Sequence, residues 1–568
     1  MRRRVLGAFA VLLVGGALRV ALWRPFSVAG PLPDDGFVRV SGVVHVHTSL
    51  SDGGGTAAET IAAGKAAGLG FLALTDHNNL DAKPLEGYHD GLLVVVGTEI
   101  STTAGHIVGL DIPDPIYRFS GDATDALADV LGAGGVAFAA HPLNLRDDFR
   151  WTGWDLPGAW GMELINGDSQ WREAGSWRLL STAALYGLNS RYALLKSLTP
   201  PGADLARWDA LLATRNVAGI AGADAHSRLP LTRRTSVRFP AYAATFALAQ
   251  DHVLLDRPLS GNAEADVAAV AAALGRGRSY IGLDALAPAA GFSFVAEDSG
   301  RRATMGDTTR DGPGLRLRAG GQLPSSAQVA LLKDGQPFAQ GTAGVDHSSG
   351  GPGVYRVEVR IPGWPVPWVV SNPIYIFTEP EAEARRQRAQ WPARRPAPAA
   401  LAAFDPLGES TLAAEHDPSS VVDAAVLAPH EGPDGRPASR LFFRLGTPTR
   451  DHPYVSAALV SRKPRDFHGR TGLVMAVKSD RAYRLWLQVR DENPASADDG
   501  TEWWFASIRT SPEWTRVAIP FDRLRSVNPK TDGRLDLNKV RMVVFVLDQG
   551  AVKPGTEGRI WLADLGLY

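Results

Sequence analysis

The sequence of 568 residues contains no cysteine. This absence excludes disulfide bonds, thiolate metal sites and cysteine nucleophiles, although it is compatible with either side of a membrane. The chain also has almost no net charge, with a formal value of −1 at pH 7 and an isoelectric point near 6.9. No global electrostatic field therefore favours nucleic acid or an anionic membrane, and we predict no nucleic-acid partner. The sequence also shows no repeat of fixed period.

The N-terminus carries a segment of distinct composition. Three arginines at positions 2–4 precede an apolar run that begins at Val5, is interrupted by Arg19 and reaches Trp23. A basic start followed by a short apolar stretch is typical of a secretory signal. Its 19 residues are also close to the length that spans a bilayer. We therefore predict a signal or membrane anchor within residues 1–36 and an extracytoplasmic location, periplasmic or secreted. A buried N-terminal helix is the alternative.

The rest of the chain is too long for one domain. Between residues 37 and 286, short apolar runs alternate with longer helical patterns, which predicts an α/β domain with a parallel sheet. Residues 287–378 change to short alternating runs between Gly- and Pro-rich turns, which predicts a β-sandwich. Residues 379–403 are charged and then Pro/Ala-rich, as in a linker. Residues 404–568 are again strand-like, and we predict a jelly-roll sandwich.

Chemistry-bearing residues first appear at the end of the apolar run Val38–Val46. His45 and His47 stand two residues apart, so in a strand their imidazoles point to one face. Asp52 follows in a Gly-rich turn, and Thr56 begins a capping-box pattern that predicts a helix. This order predicts a βα unit with its chemistry at the C-terminal end of the strand.

Six further residues of this kind recur along the α/β region, most of them in or just after predicted strands. The candidate metal ligands of the whole region are six histidines and three carboxylates: His45, His47, Asp52, His77, Glu99, His106, His141, Asp224 and His226. Buried polar groups in such number need partners, and a metal cluster provides them. Imidazole and carboxylate without thiolate suit zinc, manganese or iron, and nine ligands exceed what one ion takes. We predict two or three divalent ions. Asp76 is expected to orient a ligand, or else to form a turn.

Taken together, the motifs HVHT, SDG, LTDHN, GTE, GHIVGL, AHP and GADAHS resemble the PHP (polymerase and histidinol phosphatase) family across residues 37–286. The resemblance implies a distorted (β/α)7 barrel and assigns the same nine residues as metal ligands. Some relatives have histidine where this chain has Asp52, which bears on whether a third ion binds. Residues 353–358 and 371–375 resemble the β module of the carbaryl-hydrolase-like branch.

The resemblance implies a metal-dependent phosphoesterase that acts on a small-molecule or nucleotide-like ester through metal-bound hydroxide. In that scheme His45, His47, Glu99 and Asp224 hold the hydroxide, and His77, His106 and His141 hold a neighbouring ion. Asp52 and His226 complete the cluster, and His226 is a possible proton donor. Because the carbaryl-hydrolase-like branch includes a carbamate hydrolase, a carbamate or carboxylic ester is the alternative substrate.

A non-catalytic protein that binds glycan or cell envelope is a further alternative. The C-terminal region contains tryptophans that could stack on sugars or lie in a core: Trp486, Trp503, Trp504, Trp514 and Trp561. We predict glycan as a possible partner of that region.

Overall fold

The computed structural model describes residues 14–172, 175–232, 235–298, 300–392, 396–403, 410–428, 430–448, 452–496, 499–526, 528 and 530–568. The described chain divides into two compact units. One comprises the residues up to Pro113 together with Gly121–Pro392, and the other comprises Asp114–Ser120 together with the residues from Ala393 on.

The predicted N-terminal segment is described only from residue 14, and residues 14–21 are helical. Residues 5–13 of that segment lie outside the described residues. Within the described part of the chain, no helix combines the length and apolarity needed to cross a membrane.

The N-terminal unit begins with the strands and helices that form its barrel. The strands are β1 (Val38–Val46), β2 (Phe71–Leu74), β3 (Gly87–His89), β4 (Leu92–Val96), β5 (Thr98–Thr102), β6 (Gly105–Leu110), β7 (Val136–Ala139), β8 (Gly161–Asn166), β9 (Gly219–Ala225), β10 (Gln250–Leu255) and β11 (Ser279–Gly282). The helices are α1 (Ala57–Ala66), α2 (Ala123–Gly132), α3 (Gly167–Arg172), α4 (Ser176–Tyr186), α5 (Ser190–Ser197), α6 (Gly202–Leu212), α7 (Tyr242–Phe246) and α8 (Ala263–Arg276).

The α/β class is as the sequence predicts, but the sheet is mixed and not parallel throughout. Strands β1, β2 and β4 pair in parallel, as do β7, β8, β9 and β1. Strand β6 is antiparallel to both β5 and β7, because only a tight turn separates β5 from β6 and leaves no room for a crossover helix. These strands form a closed barrel, which is completed by β4 and β5 as a nearly continuous segment beside β2. Strand β10 runs antiparallel to the first half of β1.

Local sequence signals explain how the first βα unit forms. The Thr56 hydroxyl accepts a hydrogen bond from the Glu59 N–H at 3.2 Å, and the Glu59 carboxylate accepts one from the Thr56 N–H at 2.8 Å, so the predicted capping box starts α1. Gly68 follows the end of α1 with φ +72°, a conformation that favours glycine. The chain then enters β2, whose four residues are buried.

The region from Phe292 onward continues the N-terminal unit. Its strands are β12 (Phe292–Asp298), β13 (Arg301–Thr304), β14 (Arg316–Gly321), β15 (Gln328–Lys333), β16 (Gln336–Gly341), β17 (Val345–Ser348), β18 (Gly353–Arg360), β19 (Val369–Ser371) and β20 (Ile374–Ile376). Strands β13, β12, β14 and β17 form an antiparallel sheet in that order. Strand β19 instead pairs with β11, so part of the predicted sandwich extends the barrel sheet. Helix α9 (Glu379–Ala389) occupies the start of the predicted linker.

The second unit is an antiparallel two-sheet β structure. Its strands are β21 (Thr411–His416), β22 (Val421–Ala428), β23 (Ala438–Arg444), β24 (Tyr454–Arg465), β25 (Gly472–Ser479), β26 (Arg484–Glu492), β27 (Thr501–Arg509), β28 (Thr515–Pro520), β29 (Val540–Asp548) and β30 (Glu557–Leu567). One sheet has the order β22-β23-β30-β25-β28 and the other begins β21-β24-β29-β26-β27. Both contribute to one apolar core. The predicted boundary at residue 404 falls on residues 404–409, outside the described ones.

Three 3-10 helices, Lys83–Leu85, Pro433–Gly435 and Phe521–Arg523, and several two-residue strands also belong to the described secondary structure. The two-residue strands are Val28–Ala29, Leu229–Pro230, Ser236–Val237, Thr308–Thr309, Leu323–Pro324, Ala402–Ala403 and Arg525–Ser526.

Candidate metal centre

All nine predicted ligand residues lie around one rim of the barrel, where the parallel strands end; Glu99 and His106 reach it from the starts of β5 and β6. Three overlapping groups of side chains bring their ligand atoms within 4.8 Å of one another. The groups are His45, His47, Glu99 and Asp224; His47, Asp52, His77 and His226; and His77, Glu99 and His106. His141 adjoins them, since its Nε2 lies 2.9 Å from Glu99 Oε1. The fold therefore brings together residues that are up to 181 positions apart in the sequence.

The innermost group has the spacing of ligands around a common ion. His47 Nε2 lies 3.2 Å from Glu99 Oε2 and 3.3 Å from Asp224 Oδ1. His45 Nε2 lies 3.1 Å and 3.5 Å from the same two oxygens. Two ligands that each sit about 2.1 Å from a tetrahedral ion are about 3.4 Å apart. The four side chains therefore fit one small divalent ion.

Glu99 lies at the middle of the cluster and presents its two oxygens to different imidazoles. Oε2 faces His45 and His47, and it also lies 3.1 Å from His77 Nδ1. Oε1 lies 2.7 Å from His106 Nδ1 and 2.9 Å from His141 Nε2. A carboxylate in this position can bridge two neighbouring ions.

The group around Asp52 is the more open side of the cluster. Asp52 Oδ1 lies 3.2 Å from His226 Nε2, and 3.8 Å from both His77 Nε2 and His47 Nδ1. The Asp52 side chain is 49% exposed, whereas Glu99 is 1% exposed. Solvent therefore reaches the cluster from the Asp52 side. His47 and His77 each face two groups through opposite ring nitrogens, so the three groups share ligands.

Several imidazole nitrogens of the cluster are buried and make no hydrogen bond to any residue that the structure describes. They are His45 Nε2, both ring nitrogens of His47, His77 Nδ1 and His141 Nδ1. A buried polar atom without a partner costs free energy, and folded proteins rarely leave one. The nitrogens of His45, His47 and His77 in this set face carboxylates at the distances given above without hydrogen-bond geometry. The donor set thus fits bound divalent cations.

The carboxylates and imidazoles perturb one another strongly. Burial alone would raise the pKa of Glu99, but the charge on His45 and hydrogen bonds from His106 and His141 hold it well below its usual range. Burial would lower the pKa of His141, yet the Glu99 carboxylate raises it to about 9. Burial would likewise lower the pKa of His226, but Asp52 raises it to about 9. The carboxylates are thus held ionised, as metal ligands must be.

Three of the nine residues have unusual backbone conformations. His45, His141 and Asp224 have φ values of +68°, +30° and +48°. Such conformations cost about 1–3 kcal/mol for residues other than glycine and often occur at functional sites. The pairing of β1 with each of its two parallel neighbours, β2 and β9, shifts register next to His45. His45 and His47 therefore do not converge through regular strand alternation, contrary to the sequence prediction.

Asp76 lies beside the cluster, and its carboxylate is hydrogen-bonded to the loop that follows β1. Its Oδ1 accepts hydrogen bonds from the Thr48 N–H at 2.8 Å and the Ser51 hydroxyl at 2.6 Å, and its Oδ2 accepts one from the Thr48 hydroxyl at 2.8 Å. Asp76 therefore fixes the loop that carries Asp52. It positions the site, and the structure gives it no contact with a ligand atom of the three groups.

Glu163 is fully buried behind the cluster. Its Oε1 lies 2.6 Å from His45 Nδ1, and its Oε2 accepts hydrogen bonds from the His141 backbone N–H at 2.6 Å and from Asn166 Nδ2 at 2.8 Å. Because an ionised carboxylate only accepts, His45 donates through Nδ1 and leaves Nε2 directed at Glu99 and Asp224. Sequence reasoning missed Asn166; its position three residues after Glu163 at the end of a strand was the available signal.

Comparisons with known proteins give limited similarity. No family model matches the chain. The uncharacterized protein MJ1587 of Methanocaldococcus jannaschii is 34% identical over 84 residues, which are 14% of this chain. The chain spans about half the length of that relative, 48%.

Solved structures show similarity at low identity. A two-domain protein from Bacteroides vulgatus that contains a predicted PHP-like metal-dependent phosphoesterase is 16% identical, covers 62% of this chain and 99% of its own, and gives a TM-score of 0.28. A family 11 carbohydrate-binding module from Clostridium thermocellum is 17% identical, covers 30% and 93%, and gives 0.24. A family 30 module from a cellulase of the same organism is 14% identical, covers 31% and 94%, and gives 0.21.

Proposed function

We propose that this protein is a metal-dependent hydrolase, and first of all a phosphoesterase. The observation that carries the proposal is the set of buried imidazole nitrogens that face Glu99 and Asp224 without any hydrogen-bond partner among the described residues. Such a set has no structural use without cations. Divalent ions held there would lower the pKa of a bound water and polarise an ester oxygen.

The charge of the cluster favours an anionic substrate. Asp52, Glu99 and Asp224 carry −3 when ionised, and two divalent ions would leave +1. We assign His45, His47, Glu99 and Asp224 to one ion. His77, His106 and His141 would serve a second through their approach to Glu99. The Asp52 and His226 side would complete the cluster or hold a third ion.

Residues at the open side provide further groups for a phosphate ester. The Arg146 guanidinium lies 4.0 Å from the centre of the Phe149 ring, and that ring lies 4.9 Å from the His106 ring. Arg228 donates to the Asp52 backbone oxygen at 3.1 Å. Both arginines are exposed beside the cluster, where they can contact phosphate oxygens. His226 is half-buried at the same rim and can give a proton to the leaving group.

The test is a metal analysis of the purified protein combined with parallel assays. Aryl phosphates, phosphodiesters and aryl carbamates are compared after zinc or manganese is restored. We expect bound metal and hydrolysis of phosphate esters. Hydrolysis of the carbamates alone would overturn the phosphoesterase assignment and leave a metallohydrolase. Bound metal with no turnover on any ester would favour the binding-protein alternative.

A second function, glycan binding, is proposed for the C-terminal unit. Trp486, Trp503 and Phe505 are half-exposed, and they alternate along β26 and β27 with core residues such as Trp504. The Arg490 guanidinium stacks 3.8 Å over the Trp503 ring. Half-exposed indole faces beside polar groups are suited to sugar rings. Of the tryptophans singled out from the sequence, Trp504 belongs to the core, and Trp514 and Trp561 are partly buried.

We further propose that the protein acts outside the cytoplasm, attached or exported through residues 5–23. The basic start and apolar run of the sequence support this location. A reporter fused after Gly36 should be active only outside the cytoplasm.

A further inference from the structure

Helix α4 displays an apolar face to solvent. Trp177 is 85% exposed and Leu180 is 62% exposed, and Leu188, just beyond the helix, is 45% exposed. Leu180 lies three positions after Trp177, which places these two side chains on one face of the helix, and Ser181 and Ala184 are further exposed residues of that face. A soluble domain normally turns such a stripe toward its core, so an outward stripe marks a contact surface.

The chain's N-terminal segment leaves the folded unit beside the end of α4. Asn189 follows α4 and caps α5, because its Oδ1 accepts the Tyr192 N–H at 3.1 Å. The Nδ2 of the same amide donates to the Val20 and Trp23 backbone oxygens at 3.2 and 3.1 Å. The helical residues before this anchor point expose Val14, Leu18 and Leu22, again along one face.

A third segment joins α4 from the metal centre. Tyr186, the last residue of α4, accepts a hydrogen bond at its hydroxyl from the Ala241 N–H at 3.0 Å, and its ring packs 4.8 Å from that of Phe239. These two residues follow the hairpin Leu229–Pro230/Ser236–Val237, which begins directly after His226 and exposes Leu231.

The charge of these three segments is strongly one-sided. Residues 1–33, 175–203 and 225–250 contain five, three and four Lys or Arg, respectively, and no Asp or Glu. The whole chain has 59 basic and 60 acidic residues, so segments of this combined length would ordinarily hold several acids. The near-neutral total thus conceals a local excess of basic residues in the sequence of these segments, of which Arg238 is paired with Glu59. Arg178 and Arg191 in particular form no ion pair with any described residue.

We propose that the outer face of α4, with the N-terminal helix and the hairpin, docks onto an anionic lipid surface. Exposed tryptophan and leucine on a helix flanked by arginine are the features of an interfacial helix, which places its apolar face at the headgroup boundary. The basic residues gain energy near anionic headgroups. This contact adds to the proposed N-terminal attachment and does not depend on which reaction the metal centre performs.

Because the sequence contains no cysteine, a single introduced thiol can be labelled specifically. Leu180→Cys in the full chain creates one thiol, which is labelled with an environment-sensitive fluorophore. The matched control is Glu264→Cys, on the exposed start of α8 in the same unit. Each protein is mixed with vesicles of phosphatidylcholine and phosphatidylglycerol, and flotation confirms binding. We expect a blue shift and a several-fold rise in emission at position 180 alone, and quenching by lipid-borne nitroxides.

Other outcomes would overturn the proposal. A label at position 180 that stays in water while the chain floats with the vesicles would show that only the N-terminus attaches. A label that is already shielded without vesicles, and more so at higher protein concentration, would assign the face to a second copy. Shielding that is independent of concentration would assign it to the chain's own residues 1–13.

A charge variant separates the electrostatic part. In the double variant Arg178→Glu and Arg191→Glu, the emission change on anionic vesicles should require a lipid concentration that is about tenfold higher or more. Lowering the salt concentration should restore little of the emission change. Circular dichroism verifies that the variant is folded. An unchanged lipid titration would contradict the assignment of an anionic surface.

Discussion

The histidines of the two units differ in how their ring nitrogens are used. In the C-terminal unit, His416 Nδ1 lies 2.7 Å from a backbone oxygen, and His452 Nδ1 lies 2.6 Å from Gln549 Nε2. In the barrel, both ring nitrogens of His47 are buried and have no hydrogen-bond partner among the described residues. A buried ring nitrogen without a partner is not sufficient by itself, because His252 Nδ1 is one and lies outside the ligand groups. The convergence of several such nitrogens on shared carboxylates is what distinguishes the candidate ligand site.

The same contrast holds for carboxylates. In the C-terminal unit the buried Asp417 accepts hydrogen bonds from Ser419 and Ser420, so its charge is satisfied by neighbouring groups of the chain. In the barrel, Asp224 Oδ1 and Glu99 Oε2 face nitrogens of His45 and His47 at 3.1–3.5 Å without hydrogen-bond geometry, although Glu99 Oε1 is hydrogen-bonded to His106 and His141. The first arrangement is complete by itself, and the second has the composition of a site that could hold cations.

The largest expected effect is that of metal removal. Chelation should abolish ester turnover and lower the thermal stability of the barrel unit, because ions that bind only the folded state stabilise it by about 3–4 kcal/mol at 100 to 1,000 times Kd. The C-terminal unit should keep its transition temperature. Calorimetry with and without chelator measures both, and added zinc or manganese should restore the first transition. Equal destabilisation of both units would contradict the assignment of the ion-binding site to the barrel unit.

Removal of one ligand should have the next largest effect. His47→Ala takes away the imidazole that faces both Glu99 and Asp224, and turnover should fall about 10-fold to 1,000-fold or more. The matched control is His452→Ala in the C-terminal unit, whose ring contacts Gln549 at the surface. That variant should keep full turnover. Steady-state kinetics and metal content are measured for both proteins.

Glu163→Gln should have a smaller effect. The amide can still accept from one donor, but it lacks the second oxygen that now accepts from the His141 N–H and Asn166. His45 then loses its fixed orientation, and metal affinity should fall about 10-fold to 100-fold. Competition with a chromogenic chelator measures the affinity independently of turnover. Unchanged affinity would show that the Glu163 contact only packs the core.

The sequence predicted the candidate ligands better than the contacts and strand directions that position them. Strand-end position and residue type identified the nine candidate ligands, because metal-binding side chains are rare and their spacing along β/α units is regular. The pairing of Glu163 with His45 and the antiparallel direction of β6 were not predictable in that way. They depend on contacts between residues 118 positions apart and on the short β5–β6 turn, which local patterns do not specify.

The boundaries between the regions were also only partly predictable from the sequence. The capping box at Thr56 and Glu59 is a local signal and forms as expected. The sequence places the strand Val369–Ser371 in a separate sandwich, but in the structure this strand pairs with β11. The pairing of a strand depends on partners that are distant in the sequence. Similarly, the charged start of the expected linker becomes α9, where Arg385 donates to the backbone oxygens of Leu212 and Ala213 at the end of α6.

The smallest effect on chemistry is expected from the C-terminal unit. Trp503→Ala removes the half-exposed ring on which Arg490 stacks, and we expect retention on insoluble polysaccharide to weaken about tenfold. Ester turnover should stay within about twofold, because no described residue of that unit belongs to the three ligand groups. The matched control is Trp514→Ala, which alters a tryptophan packed against Ala438, Ala476 and Ala563. A pull-down assay on insoluble polysaccharide measures retention. Equal loss in both variants would place the effect in stability, and loss of turnover in the Trp503 variant would assign the C-terminal unit a part in the reaction.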